Sequence, residues 1–193
     1  MSNAGKLLII SCSLNPGSRS AVLCAELKTC AENLGATVEL IDLRETPLPL
    51  CDASAAYGDP AVATLTRKIQ AADAVVLGVP IYNYDVNAAA KNLVELTGRD
   101  AWTGKAFGMV CAAGGQGSFM SAMGLANSLM LDFRCVFLPR YVYATGAAFE
   151  KNADGSQTVK DPEVKARLAR LAGAVLALGQ AVKPLSLEVD ADD

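Results

Sequence analysis

Histidine is absent from the sequence. That absence removes the Ser-His-Asp and Cys-His nucleophile arrangements and every zinc site with a histidine ligand. Enzyme chemistry, if present, must come from carboxylates, hydroxyls, lysine, cysteine or a bound cofactor. The six cysteines (Cys12, Cys24, Cys30, Cys51, Cys111, Cys135) show no C-x-x-C spacing. Several fall inside apolar or helical stretches and read as small buried hydrophobes in a reducing cytoplasm. No apolar run approaches the roughly 18 residues of a membrane span. Lys6–Ile10 is too short for the apolar core of a signal peptide. The formal net charge is -3, with basic residues dispersed along the chain. Neither nucleic acid nor an anionic membrane is an expected partner. Internal repeats and low-complexity segments are also missing.

What is present suits one large core. Hydrophobic residues make up 52% of the 193 and charged residues 19%. A chain of this length buries about 70% of its unfolded surface on folding. We read residues 5–183 as a single domain and 184–193 as a loose acidic tail. Met1–Ala4 are set aside from the fold.

The apolar run within Lys6–Cys12 predicts a buried strand. Leu23, Leu27, Cys30 and Leu34 recur at helical spacing within Ala21–Leu34, and Gly35 reads as a left-handed cap. Thr37–Ile41 predicts a second strand near an edge. Arg44–Gly58, with Pro47 and Pro49, is a long irregular connection suited to covering a site or touching another subunit. Asp59-Pro60 starts a helix with Val62, Leu65 and Ile69 on its buried face. Ala74–Val79 has the continuous apolar character of a central parallel strand. Pro80–Asn87 reads as a loop, Ala88–Leu96 as a helix closed by Gly98, and Lys105–Cys111 as a fourth strand. Ser118–Leu131 predicts a further helix and Arg134–Leu138 a fifth strand. Asp161-Pro162 opens a last helix striped by Val164, Leu168, Leu171, Val175 and Leu178. That stripe fits a helix on its own sheet, with a coiled-coil seam as the other reading.

Strands alternating with helices imply an α/β fold, a parallel sheet covered on both faces. The expected architecture is a flavodoxin-like three-layer sandwich with five parallel strands in the order 2-1-3-4-5. Ligands on such sheets bind beyond the carboxyl ends of the strands, where strand order reverses. Three loops would meet there. The first, Ser11–Ser20, offers Ser13, Ser18 and Ser20 hydroxyls, the Asn15 amide and the Arg19 charge at a helix start, which suits an anion. It is neither G-x-x-x-x-G-K-[ST] nor G-x-G-x-x-G, which disfavours nucleotide hydrolases and dinucleotide sites. The second, Pro80, Ile81, Tyr82, Asn83 and Tyr84, suits a flat, partly polar heterocycle. The third, Ala113, Gly114, Gly115, Gln116 and Gly117, lets backbone approach a ring closely. Each loop alone also has a plain structural explanation: a serine-rich cap, an aromatic plug or subunit contact, and a tight turn.

The chain resembles the NADPH-dependent FMN reductase family, which includes quinone, azo-dye and chromate reductases. The family opens with G-S-x-R-x-x-S after its first strand. Here Ser13 and Ser18 match, while Cys12 stands at the glycine and Asn15 at the arginine, leaving Arg19 to replace the charge. Its P-E-Y-N motif corresponds to Pro80-Ile81-Tyr82-Asn83, with Ile81 at the glutamate, and its downstream K-N to Lys91-Asn92. The resemblance implies bound FMN, with NADPH or NADH as co-substrate and a small-molecule electron acceptor such as a quinone or free flavin. FMN would sit on Ser13, Asn15, Ser18, Arg19, Ser20, Pro80, Ile81, Tyr82, Asn83, Ala113, Gly114 and Gly115. The flavin would carry the chemistry, so no catalytic side chain and no metal ligand is assigned. The resemblance further implies a homodimer or homotetramer, with loops 44–58 and 140–158 as candidate contacts. A flavodoxin-type electron carrier and a flavin-free binding protein of the same fold remain as alternatives.

Overall fold

A computed structural model describes residues 4–185 of the chain. Strand β1 (Lys6–Ser11) is buried along all but its first residue. Helix α1 (Arg19–Asn33) follows, capped by Ser18, whose Oγ accepts the Ala21 N–H. It ends as expected at Gly35, with φ of +82°. Gly35 N–H donates to Glu32 C=O and Ala36 N–H to Ala31 C=O, which satisfies the last carbonyls in a Schellman arrangement. Strand β2 (Thr37–Asp42) is half exposed, as an edge strand should be. Helix α2 (Pro60–Ala71) has Asp59 as its cap and Pro60 in its first turn. Strand β3 (Ala74–Tyr82) is buried up to Ile81. Then come β4 (Asp85–Val86), α3 (Ala88–Trp102), β5 (Ala106–Ala113), α4 (Met123–Phe133), β6 (Val136–Phe137) and β7 (Val142–Thr145). The chain continues through β8 (Phe149–Lys151) and β9 (Gln157–Val159) to α5 (Pro162–Val182).

The main sheet runs β2-β1-β3-β5-β6 in parallel, with β7 also pairing with β5 and β4 antiparallel to β3. This is the flavodoxin-like doubly wound order. The alternation along β1 divides the core. Leu8 and Ile10 face Leu65, Ile69, Leu93 and Trp102 of α2 and α3, while Leu7 and Ile9 face Leu23, Leu27, Leu168 and Val175 of α1 and α5. Each fully buried aliphatic side chain of this kind is worth about 1.5–3 kcal/mol over its exposed form. Val164, Leu168, Leu171 and Val175 are buried against the chain's own sheet, and Leu178 is half-buried. The coiled-coil alternative therefore falls away.

Four expectations need correction. Pro80–Asn87 is no irregular loop: β3 continues to Tyr82, and Asn83 and Tyr84, at φ of 52° and 64°, turn the chain back into β4. Positive φ at both central residues matches the twist of a two-residue hairpin. Helix α3 does not stop at Gly98. That residue takes φ of 63° and kinks the helix, which resumes to bury Ala101 and the sole tryptophan, Trp102. The Trp102 indole N–H donates to Thr97 Oγ1 at 2.8 Å. The fifth strand is split, because Leu138–Tyr141, carrying Pro139, leaves the sheet between β6 and β7. Finally, the expected loop 140–158 holds β7, β8 and the first two residues of β9. Residues 186–193, most of the expected acidic tail, lie outside the described residues.

Candidate cofactor site

The carboxyl ends of β1, β3 and β5 open side by side. The loop after β1 is folded on its own side chains. Asn15 N–H donates to Ser13 Oγ at 3.3 Å, Gly17 N–H to Asn15 Oδ1 at 2.9 Å, and Ser18 N–H to the Asn15 carbonyl at 3.1 Å. Ser18 Oγ and Ser20 Oγ share a hydrogen bond of 2.9 Å. The three serines are buried, at 1%, 7% and 0% exposure for Ser13, Ser18 and Ser20, so their hydroxyls first shape the loop. The anion-seeking groups that remain are the N–H groups of Arg19 and Ser20, which open α1 and have no intrahelical acceptor.

Two flanking segments brace this loop. On one side Arg44 Nη1 donates to the Pro16 carbonyl at 3.2 Å. Arg44 is held by Asp42, with Nε at 3.1 and 3.0 Å from the two carboxylate oxygens. Burial works to raise the Asp42 carboxyl, but hydrogen bonds from Arg44 and its charge outweigh that and hold it below the usual range. On the other side Gln157 Nε2 donates to the Gly17 carbonyl at 3.2 Å.

The hairpin β3–β4 is fixed to the loop at its base. Asn87 Nδ2 donates to the Cys12 carbonyl at 2.7 Å, and Asn87 N–H donates to the Pro80 carbonyl at 3.2 Å. Among the described residues, Asn87 Oδ1 and Ser11 Oγ are the buried side-chain polar atoms without a partner. Of the family-like Lys91-Asn92 pair, Lys91 meets Glu95 on the helix surface. Asn92 does structural work at a distance: its Oδ1 accepts from Cys51 N–H and its Nδ2 donates to the Pro49 carbonyl, both at 2.8 Å. It thereby pins the long connection to α3. The glycine loop is tied from β7, where the Tyr143 hydroxyl donates to the Gly115 carbonyl, and the turn after it from Tyr141, just before β7, whose hydroxyl donates to the Phe119 carbonyl. Gly114, Gly115 and Gly117 do not use positive φ; their value here is missing bulk.

These loops enclose one cleft of about 540 Å³, lined by Ser13, Asn15, Ser18, Arg19, Ser20, Pro80, Ile81, Tyr82, Asn83, Ala113 and Gly114. Gly17, Ala112 and Gln157 join them. Gly115 does not line it. Cys12, directly before the loop, is fully buried, and burial with the nearby Asp42 charge pushes its thiol far up. It has no thiolate character at neutral pH. All six cysteines are free.

The donor set fits a flavin phosphate ester. One end presents helix-start amides and Arg19, and the other presents a half-exposed Tyr82 ring and bare backbone at Gly114. A Cβ added to Gly114 would meet nothing of this chain within 4 Å, so a side chain there would project into open space. The volume lies within the usual range for cofactor sites, roughly 300–1,000 Å³. Sequence reading missed Gln157, which lies in a polar segment with no hydrophobic period. It also missed Arg44 and Asn87, whose roles rest on contacts between distant segments.

A family model described as NADPH-dependent FMN reductase matches residues 5–150. An NAD(P)H-dependent FAD/FMN reductase from Geobacillus thermodenitrificans is 28% identical, over 92% of this chain and 95% of its own length. An NAD(P)H:quinone oxidoreductase from Solanum tuberosum is 29% identical, over 89% of this chain and 91% of its own. Among solved structures, a flavoenzyme NAD(P)H:(acceptor) oxidoreductase from Paracoccus denitrificans superposes with a TM-score of 0.73 at 24% identity, covering 92% of this chain and 98% of the other. The family match runs from the residue before β1 into β8 and takes in every cleft-lining residue except Gln157, and on that match this chain belongs to the NADPH-dependent FMN reductase family.

Proposed function

We propose that the cleft holds FMN and that the chain is an NAD(P)H-dependent oxidoreductase acting on a quinone, a free flavin or a similar small acceptor. The observation that carries this reading is the convergence of three loops on one cleft with an anion-seeking end and a glycine-bared end. When bound, FMN supplies hydride uptake from the nicotinamide and onward transfer of one or two electrons. The chain's residues bind and orient. Arg19 and Ser20 amides receive the phosphate, with Arg19 adding charge. Ser13, Asn15 and Ser18 hold the loop in the shape that exposes those amides. Pro80, Ile81, Tyr82 and Asn83 with Ala113 and Gly114 form the ring end, where main-chain donors would bond the ring's polar edge. No side chain is assigned a catalytic role and no metal is required.

The reading takes residues 5–183 as one flavin-binding domain and places it in the cytoplasm, where six free thiols stay reduced. No described helix is long and apolar enough to cross a membrane. A homodimer or homotetramer is also proposed. The exposed side chains of Leu14, Leu50, Tyr84 and Met120 supply apolar surface beside the cleft and on the 44–58 connection.

The test is spectroscopic and then kinetic. Protein incubated with FMN and desalted should be yellow and should oxidise NADPH or NADH in the presence of a quinone. A colourless protein that leaves FMN fluorescence unchanged overturns the reading. Bound FMN with negligible nicotinamide oxidation would instead indicate an electron carrier, a reading that the reductase relatives disfavour.

A further inference from the structure

The family match ends at residue 150, inside the segment 146–157, and three residues of that segment, Gly146 and Phe149 within the match and Gln157 beyond it, converge on one side chain of the anion loop. Arg19 Nε donates to Gln157 Oε1 at 3.4 Å. The Arg19 guanidinium carbon lies 5.9 Å from the centre of the Phe149 ring. A Cβ at Gly146 would come within 3.0 Å of Arg19 Nη1, so the guanidinium lies close over bare backbone there. Gln157 uses its other end on the loop itself, donating from Nε2 to the Gly17 carbonyl at 3.2 Å. It also lines the cleft.

This hairpin is seated firmly enough to position something. Phe149 and Val159 pair across it and are 6% and 2% exposed within the core shared with α1 and α5. Lys160 N–H closes its base on the Ala148 carbonyl at 2.9 Å. The Gly17 carbonyl shares a rigid peptide plane with the Ser18 N–H. Holding that carbonyl outward therefore sets how the chain enters the cap residue Ser18, and with it the direction of the Arg19 and Ser20 amides.

We propose that Gln157 is a positioning residue for phosphate recognition. By fixing the Gly17 carbonyl and the Arg19 guanidinium together, it sets how strongly the cleft prefers a phosphorylated flavin over an unphosphorylated one. The proposal rests on the FMN reading of the same cleft. It adds a residue that the family match does not reach, and it assigns preference for the phosphate, not chemistry, to the hairpin.

The test compares FMN with riboflavin, which lacks the phosphate, on the full chain and on Gln157→Ala. FMN affinity should fall about tenfold while riboflavin affinity stays within about twofold. A purely structural weakening would lower both together, and that result, or no change in either, overturns the proposal. A second measurement needs no flavin. Amide resonances of Arg19 and Ser20 are followed while inorganic phosphate is added. The unmodified chain should show a saturable shift, and Gln157→Ala should need about tenfold more phosphate. Identical phosphate responses in the two chains, or none in the unmodified chain, overturn the positioning role. If neither flavin binds the unmodified chain but the phosphate responses differ, the FMN reading fails while the role of Gln157 toward an anion stands.

Discussion

At the scale of single residues, a polar group in this cleft has to be read twice, once for the loop and once for the ligand. Ser18 caps α1 through its hydroxyl and also faces the anion end. Ser18→Asp separates the two roles, because aspartate is an equally good cap but brings a negative charge to the phosphate. FMN binding should weaken by about tenfold or more with the melting temperature nearly unchanged, as measured by fluorescence titration and calorimetry. Unchanged FMN affinity would remove this loop from the site. The Asp42–Arg44 brace gives a pH prediction. The folded Asp42 carboxyl is held below its unfolded value, so its contribution is complete at neutral pH and is lost as pH falls through the folded value, below about pH 4. Asp42→Asn should flatten that acid limb in an unfolding series across pH 2–6; an acid limb identical to the parent's would show that the brace carries no stability. Ser18 was legible because a cap sits at a fixed place relative to an apolar helix face. Gln157 was not, because a glutamine in a polar hairpin leaves no trace of the segment it touches 140 positions away.

At the scale of elements, long periodic segments were readable and short ones were not. The stripe of α5 and the continuous apolar run of β3 follow from 3.6-residue and strand patterning. Strands β4 and β6 have two residues each, too few to carry any period. Gly98 looked like a helix end because glycine usually is one. The burial of Ala101 and Trp102 beyond it outweighs the kink. Gly78 marks a different constraint. It lies in β3 where α1 crosses, and a Cβ there would stand 2.0 Å from Cys24 Sγ. Gly78→Ala should therefore cost about 1–3 kcal/mol in denaturant unfolding, and adding Cys24→Ala should recover much of the loss. A destabilisation that Cys24→Ala leaves untouched would place the strain elsewhere.

For the whole molecule, the parallel strand order and its two helical layers were legible from the alternation of elements, and with them the meeting of three loops at the switch point. The sequence did not disclose the outer edge, where the chain leaves the sheet at Leu138–Tyr141 and re-joins it as β7. Nor did it disclose that β8 and β9 fold back to the first loop. The proposed assembly is tested at this scale. Sedimentation equilibrium should give a mass of two or four chains of 20.0 kDa. Leu50→Glu, which charges a side chain 82% exposed in the structure, should shift the equilibrium toward the single chain. A parent protein that sediments as one chain rules out the assembly.

The paired braces on the loop after β1 have one more consequence. Arg44 and Gln157 hold adjacent carbonyls from opposite flanks before any ligand arrives. The conformational entropy of that loop is therefore already lost in the free protein and is not charged again to binding. Uptake of the cofactor should then proceed at a rate set by diffusion into an open cleft and not by a slow ordering step, and its release should govern differences in affinity among loop variants.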